Sequence, residues 1–212
     1  MSIDMYLGHN NAQTNSLASV ISKQNNAYED LQNTLNKFSY NDSSLSGRAY
    51  DSAKIYSTSV LIPLLKGCVL LNEAILLSAK NFSNRYISEV SNIDLRESDL
   101  RDKIMRADRI VGRYYELLNL EYLKEKPNPR LTYNIRESIY IQQEIKRELE
   151  EQLHRLLLFN SSSPYIFSEI EGLASAVQSG LNQAKSSWNS KTQTFYIPKQ
   201  KEMDWVKKLN HI

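Results

Sequence analysis

The sequence predicts an all-α protein: an elongated antiparallel helical hairpin or bundle of about five long helices, with a short irregular or mixed C-terminal tail. Three observations support this fold class. The 212 residues include only 6 Gly and 5 Pro, too few for the many turns of an all-β fold. Apolar side chains recur at intervals of three and four residues over long stretches. Polar breaks rich in Asn, Ser and Pro separate those stretches.

The first helix is predicted over residues 16–38. Its apolar positions form a heptad seam with alternating spacings of three and four residues, interrupted only by Gln24. These positions are Leu17, Ile21, Tyr28, Leu31, Leu35 and Phe38. The turn and cap residues of segment 39–44 then end the pattern.

A second helix is predicted from Leu45 or Gly47 to about Asn92. Val60, Leu64 and Leu71 continue the seam on this helix. Pro63 lies inside the pattern and is expected to kink or split the helix, because proline lacks an amide hydrogen and crowds the preceding turn. A helix this long is buried more easily in a hairpin or against a partner than inside a small domain.

Three further helices are predicted over residues 95–126, 134–159 and 165–188. A short Pro127-Asn128-Pro129 loop joins the first two, which predicts that they pair antiparallel. Ser163 and Pro164 are suited to the start of the last of the three. The tail from Asn189 is expected to hold an extended piece at 194–197 and a final short helix at 202–209.

The charge distribution predicts three segments. Residues 1–92 hold 7 acidic and 7 basic side chains, whereas the shorter segment 93–160 holds 13 of each. Weakly charged helices can pack against other helices on more than one side, so 1–92 is predicted to be the partner-binding hairpin. Residues 93–190 are predicted to be a charged helical stalk or bundle, and 191–212 a tail. A solvated hairpin of low charge is the alternative for 1–92.

Side chains that would support catalysis are not grouped in the sequence. The lone Cys68 lies in an apolar run, which is typical of a small buried hydrophobe. Glu144 and Glu148 near His154 are expected to be a solvated helix face, since no second helix offers matching metal ligands. We therefore expect no catalytic, metal or cofactor-binding residue, no enzymatic activity, and no small-molecule substrate. The net charge of +2 gives no indication of nucleic-acid binding.

The first residues are polar and lack the apolar core of a secretory signal. Lys66, Glu73 and Lys80 interrupt the longest apolar stretches, so no membrane-spanning segment is expected. By this reasoning the protein is cytoplasmic or leaves the cell by another route.

The segment from Leu45 to Leu65 carries the most informative motifs. Gly47 lies where the chain reverses between two long helices, a position that suits glycine. The motif positions are Leu45, Gly47, Tyr50, Asp51, Ala53, Lys54 and Pro63. Taken alone, this pattern predicts only the corner of a helical hairpin.

Together with the opening Ser2-Ile3-Asp4-Met5, these motifs resemble the LXG domain over about residues 1–95. LXG domains head polymorphic toxins that Firmicutes export through the type VII secretion system. The resemblance implies a helical targeting module, distantly similar to the small WXG proteins. It also implies binding to small helical proteins encoded nearby, recognition by the secretion ATPase and membrane apparatus, and a C-terminal toxin domain. The implied localisation is cytoplasmic before export and then secreted without a Sec signal peptide.

Two other hypotheses stay open at the level of sequence. The chain is alternatively a stand-alone homodimeric coiled-coil module without a secretion role. It is least expected to be a helical toxin that acts on membranes by itself.

Overall fold

The computed structural model describes residues 2–40 and 45–209. Its helices are α1 (Leu7–Tyr40), α2 (Arg48–Tyr56), α3 (Ile62–Glu89), α4 (Glu97–Tyr122), α5 (Pro129–Ser162), α6 (Ser168–Lys185) and α7 (Asp204–Leu209). Four two-residue strands form two antiparallel pairs: β1 (Asp4–Met5) with β2 (Leu95–Arg96), and β3 (Trp188–Asn189) with β4 (Thr194–Phe195). The prediction of an all-α fold with about five long helices is confirmed.

The chain divides into two compact units, each built from separate segments. Unit 1 contains Met1–Asn11 and Phe82–Pro164, and unit 2 contains Ala12–Asn81 and Tyr165–Ile212. The three segments predicted from charge, with boundaries after residues 92 and 190, stay a prediction. The functional roles assigned to those segments stay predictions.

Unit 1 is organised around the antiparallel pair α4–α5. The predicted Pro loop joins the two helices, but α5 begins at Pro129 rather than at 134, because the Asn128 side chain accepts hydrogen bonds from the Arg130 and Leu131 amides. Near the start of α4, the end of α3 packs against α5. The apolar cluster there contains Tyr86, Val90, Leu100, Leu153, Leu156 and Phe159.

The N-terminus of α1 is also held in unit 1. The helix begins at Leu7, nine residues before the predicted start. The carboxylate of Asp94 accepts the Leu7 amide hydrogen at 2.8 Å, which satisfies one of the free amides of the first turn. This cap comes from a residue 87 positions away, so the polar sequence of 7–15 gives no local indication of it.

Unit 2 contains most of α1, the helices α2 and α3 up to Asn81, and the C-terminal segment. The β3–β4 hairpin and helices α6 and α7 pack on α2 and α3. Their shared apolar cluster contains Tyr56, Val60, Leu64, Leu173, Val177, Trp205 and Leu209.

Pro63 modifies the second predicted helix without ending it. A π-helical turn over Ser57–Leu61 connects α2 to α3, and the Ile62 amide donates to the Ser57 carbonyl five residues back. Proline cannot make the regular bond to the residue four positions earlier, and a widened turn accommodates that loss. The predicted kink or split therefore takes the form of a π turn.

Candidate partner-binding surface

The predicted corner is built around Gly47. This glycine has φ 105°, a left-handed conformation that L side chains rarely adopt. The Gly47 carbonyl accepts a hydrogen bond from the Asp51 amide at 2.9 Å, at the start of α2. The Lys54 ammonium donates to the Leu45 carbonyl at 2.8 Å and ties the approach to the turn onto the helix. The break residues 41–44 lie outside the described residues.

The remaining motif residues differ in exposure. Tyr50 and Asp51 are exposed, whereas Ala53 and Pro63 are half-buried. The intervening Ser52 has a structural contact, since its hydroxyl accepts the Phe195 amide hydrogen at 3.0 Å. The Phe195 ring also stacks on Tyr56, with ring centroids 5.0 Å apart. The motif segment therefore packs against the C-terminal β-hairpin.

The seam residues predicted on the second helix lie in the π turn and in α3, in or beside an intramolecular core. Val60 is fully buried and Leu64 is 5% exposed, and both pack with α6 and α7. Leu71 is half-buried beside the same cluster. Residues of the C-terminal segment cover Val60 and Leu64 in this structure, and their predicted role in partner binding stays a prediction.

The seam residues predicted on α1 are different. Ile21 is buried, but Leu17, Tyr28, Leu35 and Phe38 are only half-buried and Leu31 is 46% exposed. Among the described residues, none of the six belongs to the buried apolar cluster of unit 2. The seam of α1 beyond Ile21 therefore presents apolar area to solvent.

Polar side chains hold α1 beside α2 and α3. The Asn72 amide donates to Asn25 at 2.8 Å and to Gln24 at 3.2 Å. Near the other end, the Ser39 hydroxyl donates to the Lys54 carbonyl at 3.4 Å. These contacts place α1 antiparallel to α2 and α3 within unit 2.

Helix α3 presents a second apolar surface. Within the described residues one helical run, Arg48–Glu89, is long and apolar enough to cross a membrane by length and composition. Its most apolar window has a mean hydropathy of 2.0 and is 17% buried. The expectation that charged residues exclude such a segment is wrong, because a few charges leave the mean hydropathy high. One run of this kind is weak evidence for a span.

Two largely apolar grooves follow this surface of α3, each with one charged residue in its lining. One, of about 300 Å³, is lined by Leu70, Glu73, Ala74 and Leu77 together with Leu173 and Leu209. The other, of about 280 Å³, is lined by Pro63, Lys66, Gly67 and Leu70 with Val206 and Leu209. Leu70 and Leu77 are 40% and 59% exposed, so apolar side chains line an accessible surface.

The free Cys68 is half-buried beside this surface. Burial raises the pKa of the Cys68 thiol, which disfavours the thiolate needed of a nucleophile. In the described parts of the chain, no three His, Cys, Asp or Glu side chains are grouped to hold a metal ion.

The extended piece and the short helix predicted in the C-terminal segment are present, but the sequence reasoning missed their packing into unit 2. Residues 191–212 were expected to be a tail, yet Trp205 and Leu209 are buried and the Trp205 indole donates to Gln183 at 2.7 Å. Large apolar residues in an otherwise polar tail were the available signal. They decide which part of the predicted seam stays accessible.

Comparison with known proteins gives one informative similarity. No family model matches the chain. The chain is 26% identical over 187 residues to a Bacillus cereus protein named "Toxin". The match covers 88% of this chain but 32% of that relative, so the chain spans about a third of the relative's length.

Proposed function

We propose that this chain is the targeting and export domain of a secreted LXG-type antibacterial toxin. In this proposal it binds small helical partner proteins, and the resulting composite bundle is recognised by the type VII secretion system. The similarity to a longer protein named as a toxin supports a toxin-related role. The LXG-like motifs around Leu45 and Gly47 support the finer assignment.

The accessible apolar surface of α1 and α3 is the observation that carries the proposal. A helix whose most apolar window is only 17% buried leaves apolar area in water, which is unfavourable until another surface covers it. The half-exposed heptad seam of α1 lies on a neighbouring helix of the same unit. Amphipathic helices of a partner fit such a surface by placing apolar residues against it.

The experiment is co-expression of the chain with the small open reading frames beside its gene, followed by pull-down and an export assay. The double substitution Leu31→Asp/Leu35→Asp places two charges on the seam and is expected to abolish co-purification and export. The matched control is Asn33→Asp/Asn36→Asp, which places two charges at exposed positions off the seam. Circular dichroism checks that both variants keep the helical content.

If the chain captures no helical protein and the seam variant exports normally, the proposal is wrong. Equal effects of the seam and control variants would also contradict it, because added charge rather than lost apolar contact would then be responsible.

The apolar window of α3 favours a second candidate, insertion of this helix into a membrane. Flotation of the chain with liposomes, and leakage of their contents, tests it. Binding to lipid without any protein partner would favour this candidate over the targeting role.

A further inference from the structure

The α4–α5 hairpin has one face closed by polar contacts. Arg136 donates to the Tyr122 hydroxyl at 2.7 Å, Gln143 donates to the Tyr115 hydroxyl at 3.3 Å, and Lys146 pairs with Asp108. These contacts connect the two helices along one side. They also establish which residues of α4 and α5 lie at the same height along the hairpin.

The opposite side, which we call the open face, is apolar. It is formed by Ile110, Leu117 and Leu120 of α4 with Leu131, Ile141 and Ile145 of α5, which are between 37% and 61% exposed. Towards the tip it contains a groove of about 540 Å³, lined by apolar residues that include Leu117, Leu120 and Leu131 and by the polar Glu121, Lys124, Asn134 and Ser138. In α5, Leu131, Ile141 and Ile145 share one side of the helix at three- and four-residue spacing with the polar Asn134 and Ser138, so this line is apolar at three of its five positions.

The core beneath the open face is thin. Away from the cluster that α4 and α5 form with the end of α3, the buried cluster between the two helices contains Val111, Leu118, Ile135 and Ile139, with Tyr114 packed against it. Two helices by themselves cannot enclose apolar side chains on both sides, and bundles solve this with further helices. The open face therefore has the composition and spacing of an interface between helices.

The two sides of the open face carry opposite charges. Helical spacing places Arg106 and Arg113 among Ile110, Leu117 and Leu120 on the α4 side. It places Glu144 and Glu148 beside Ile141 and Ile145 on the α5 side. Neither arginine makes an ion pair with any residue that the structure describes. Glu144 pairs with Arg147 of its own helix at an exposed site, where such pairs contribute little.

We propose that the open face binds the same face of a second copy of this chain, forming a four-helix bundle about a two-fold axis parallel to the helices. This axis places α4 against α5 of the second copy at the same heights. Ile110 then meets Ile145, and Leu117 meets Ile141. Arg113 faces Glu144, and Arg106 faces Glu148, in both halves of the interface.

The charge pattern favours this arrangement over packing about the alternative two-fold axis. An axis perpendicular to the helices lays α4 on α4 and α5 on α5, which brings arginines towards arginines and glutamates towards glutamates. Like charges at an interface disfavour that packing. The occupant is therefore a self-complementary copy, because each hairpin carries both halves of the charge pattern. This inference does not depend on the proposed targeting role, which uses unit 2.

Sedimentation equilibrium of the full 212-residue chain, over a range of protein concentrations, tests the proposal. The wild-type chain is expected to form dimers. The variant Leu117→Asp/Ile141→Asp is expected to be monomeric throughout. The matched control Met105→Asp/Tyr140→Asp adds the same charge at 55% and 61% exposed positions outside the open face and is expected to dimerise normally.

Charge exchange tests the direction of the axis. Arg113→Glu alone and Glu144→Arg alone are each expected to weaken dimerisation by about tenfold, since each places like charges in contact. The combined variant is expected to restore dimerisation. Leu31→Asp/Leu35→Asp is expected to leave it unchanged, which separates this surface from the partner-binding seam.

A chain that is monomeric at every concentration overturns the proposal, as does a dimer indifferent to Leu117→Asp/Ile141→Asp. Failure of the double charge exchange to restore dimers overturns the two-fold arrangement. If the open-face variant instead loses only the binding of a different helical protein, that protein occupies the face and the proposal is wrong.

Discussion

The amide of Phe195 donates a hydrogen bond to the hydroxyl of Ser52 at 3.0 Å, across 143 residues of sequence. The contact joins the C-terminal β-hairpin to the first helix after the Gly47 corner. It shows that the motif segment has an internal partner within the chain.

Substitution of Ser52 by Ala is expected to lower the free energy of unfolding by about 1 kcal/mol, because the Phe195 amide loses its acceptor in a partly buried position. Ser19→Ala is the matched control: it removes an exposed serine hydroxyl from α1 and corrects for the higher helix propensity of alanine. Chemical denaturation of both variants gives the comparison. Equal stability changes would show that the contact contributes nothing measurable.

Two fully enclosed tyrosines provide a matched pair. The Tyr56 hydroxyl is buried and has no hydrogen-bond partner among the described residues, whereas the Tyr86 hydroxyl donates to the Ile93 carbonyl at 2.8 Å. Tyr56→Phe is expected to leave stability unchanged or to raise it by about 1 kcal/mol, because an unsatisfied polar group is removed. Tyr86→Phe is expected to lower it by about 1 kcal/mol. Thermal unfolding distinguishes the two, and the opposite order would be inconsistent with these contacts.

Trp205 is expected to behave as a core residue although it lies near the end of the chain. Trp205→Ala removes a side chain that is 5% exposed and packs near Leu64. It is expected to lower the free energy of unfolding by about 3–5 kcal/mol. Trp188→Ala, at a 50% exposed tryptophan of the β-hairpin, is expected to lower the free energy of unfolding clearly less. Denaturant titration of both variants measures the difference. A small loss at Trp205 would mean that the C-terminal segment adds little to unit 2.

Glu121 is expected to give unit 1 a pH-dependent stability. Hydrogen bonds from the Lys124 ammonium and the Asn128 amide lower the pKa of this buried carboxyl in the folded state. The stabilisation is therefore present above the ordinary glutamate pKa and is lost as the pH falls from about 4.3 towards the lowered value.

Melting temperatures of wild type and Glu121→Gln between neutral and acid pH test this expectation. The difference between them should shrink as the pH falls. Glu116→Gln, at an exposed carboxylate of the same helix, is the control and should track the wild type at each pH. A difference that stays constant with pH would contradict the assigned role of Glu121.

The candidate surface was only partly predictable. Heptad spacing identified the α1 seam, and Leu31 and Leu35 are indeed accessible to differing degrees. The same spacing on the second predicted helix selected Val60 and Leu64, which are covered by α6 and α7. Periodicity marks which face of a helix is apolar, but it does not state which helix covers that face.

The amino-acid sequence by itself determined the helices, the Gly47 corner and the antiparallel pairing of α4 with α5, because these depend on spacing and turn residues close together in the chain. Tertiary structure alone decided the cap of α1 by Asp94, the burial of Trp205 and the closure of only one face of α4–α5. Those features join residues far apart in sequence. Their free energy comes from burying and pairing groups that no local pattern brings together.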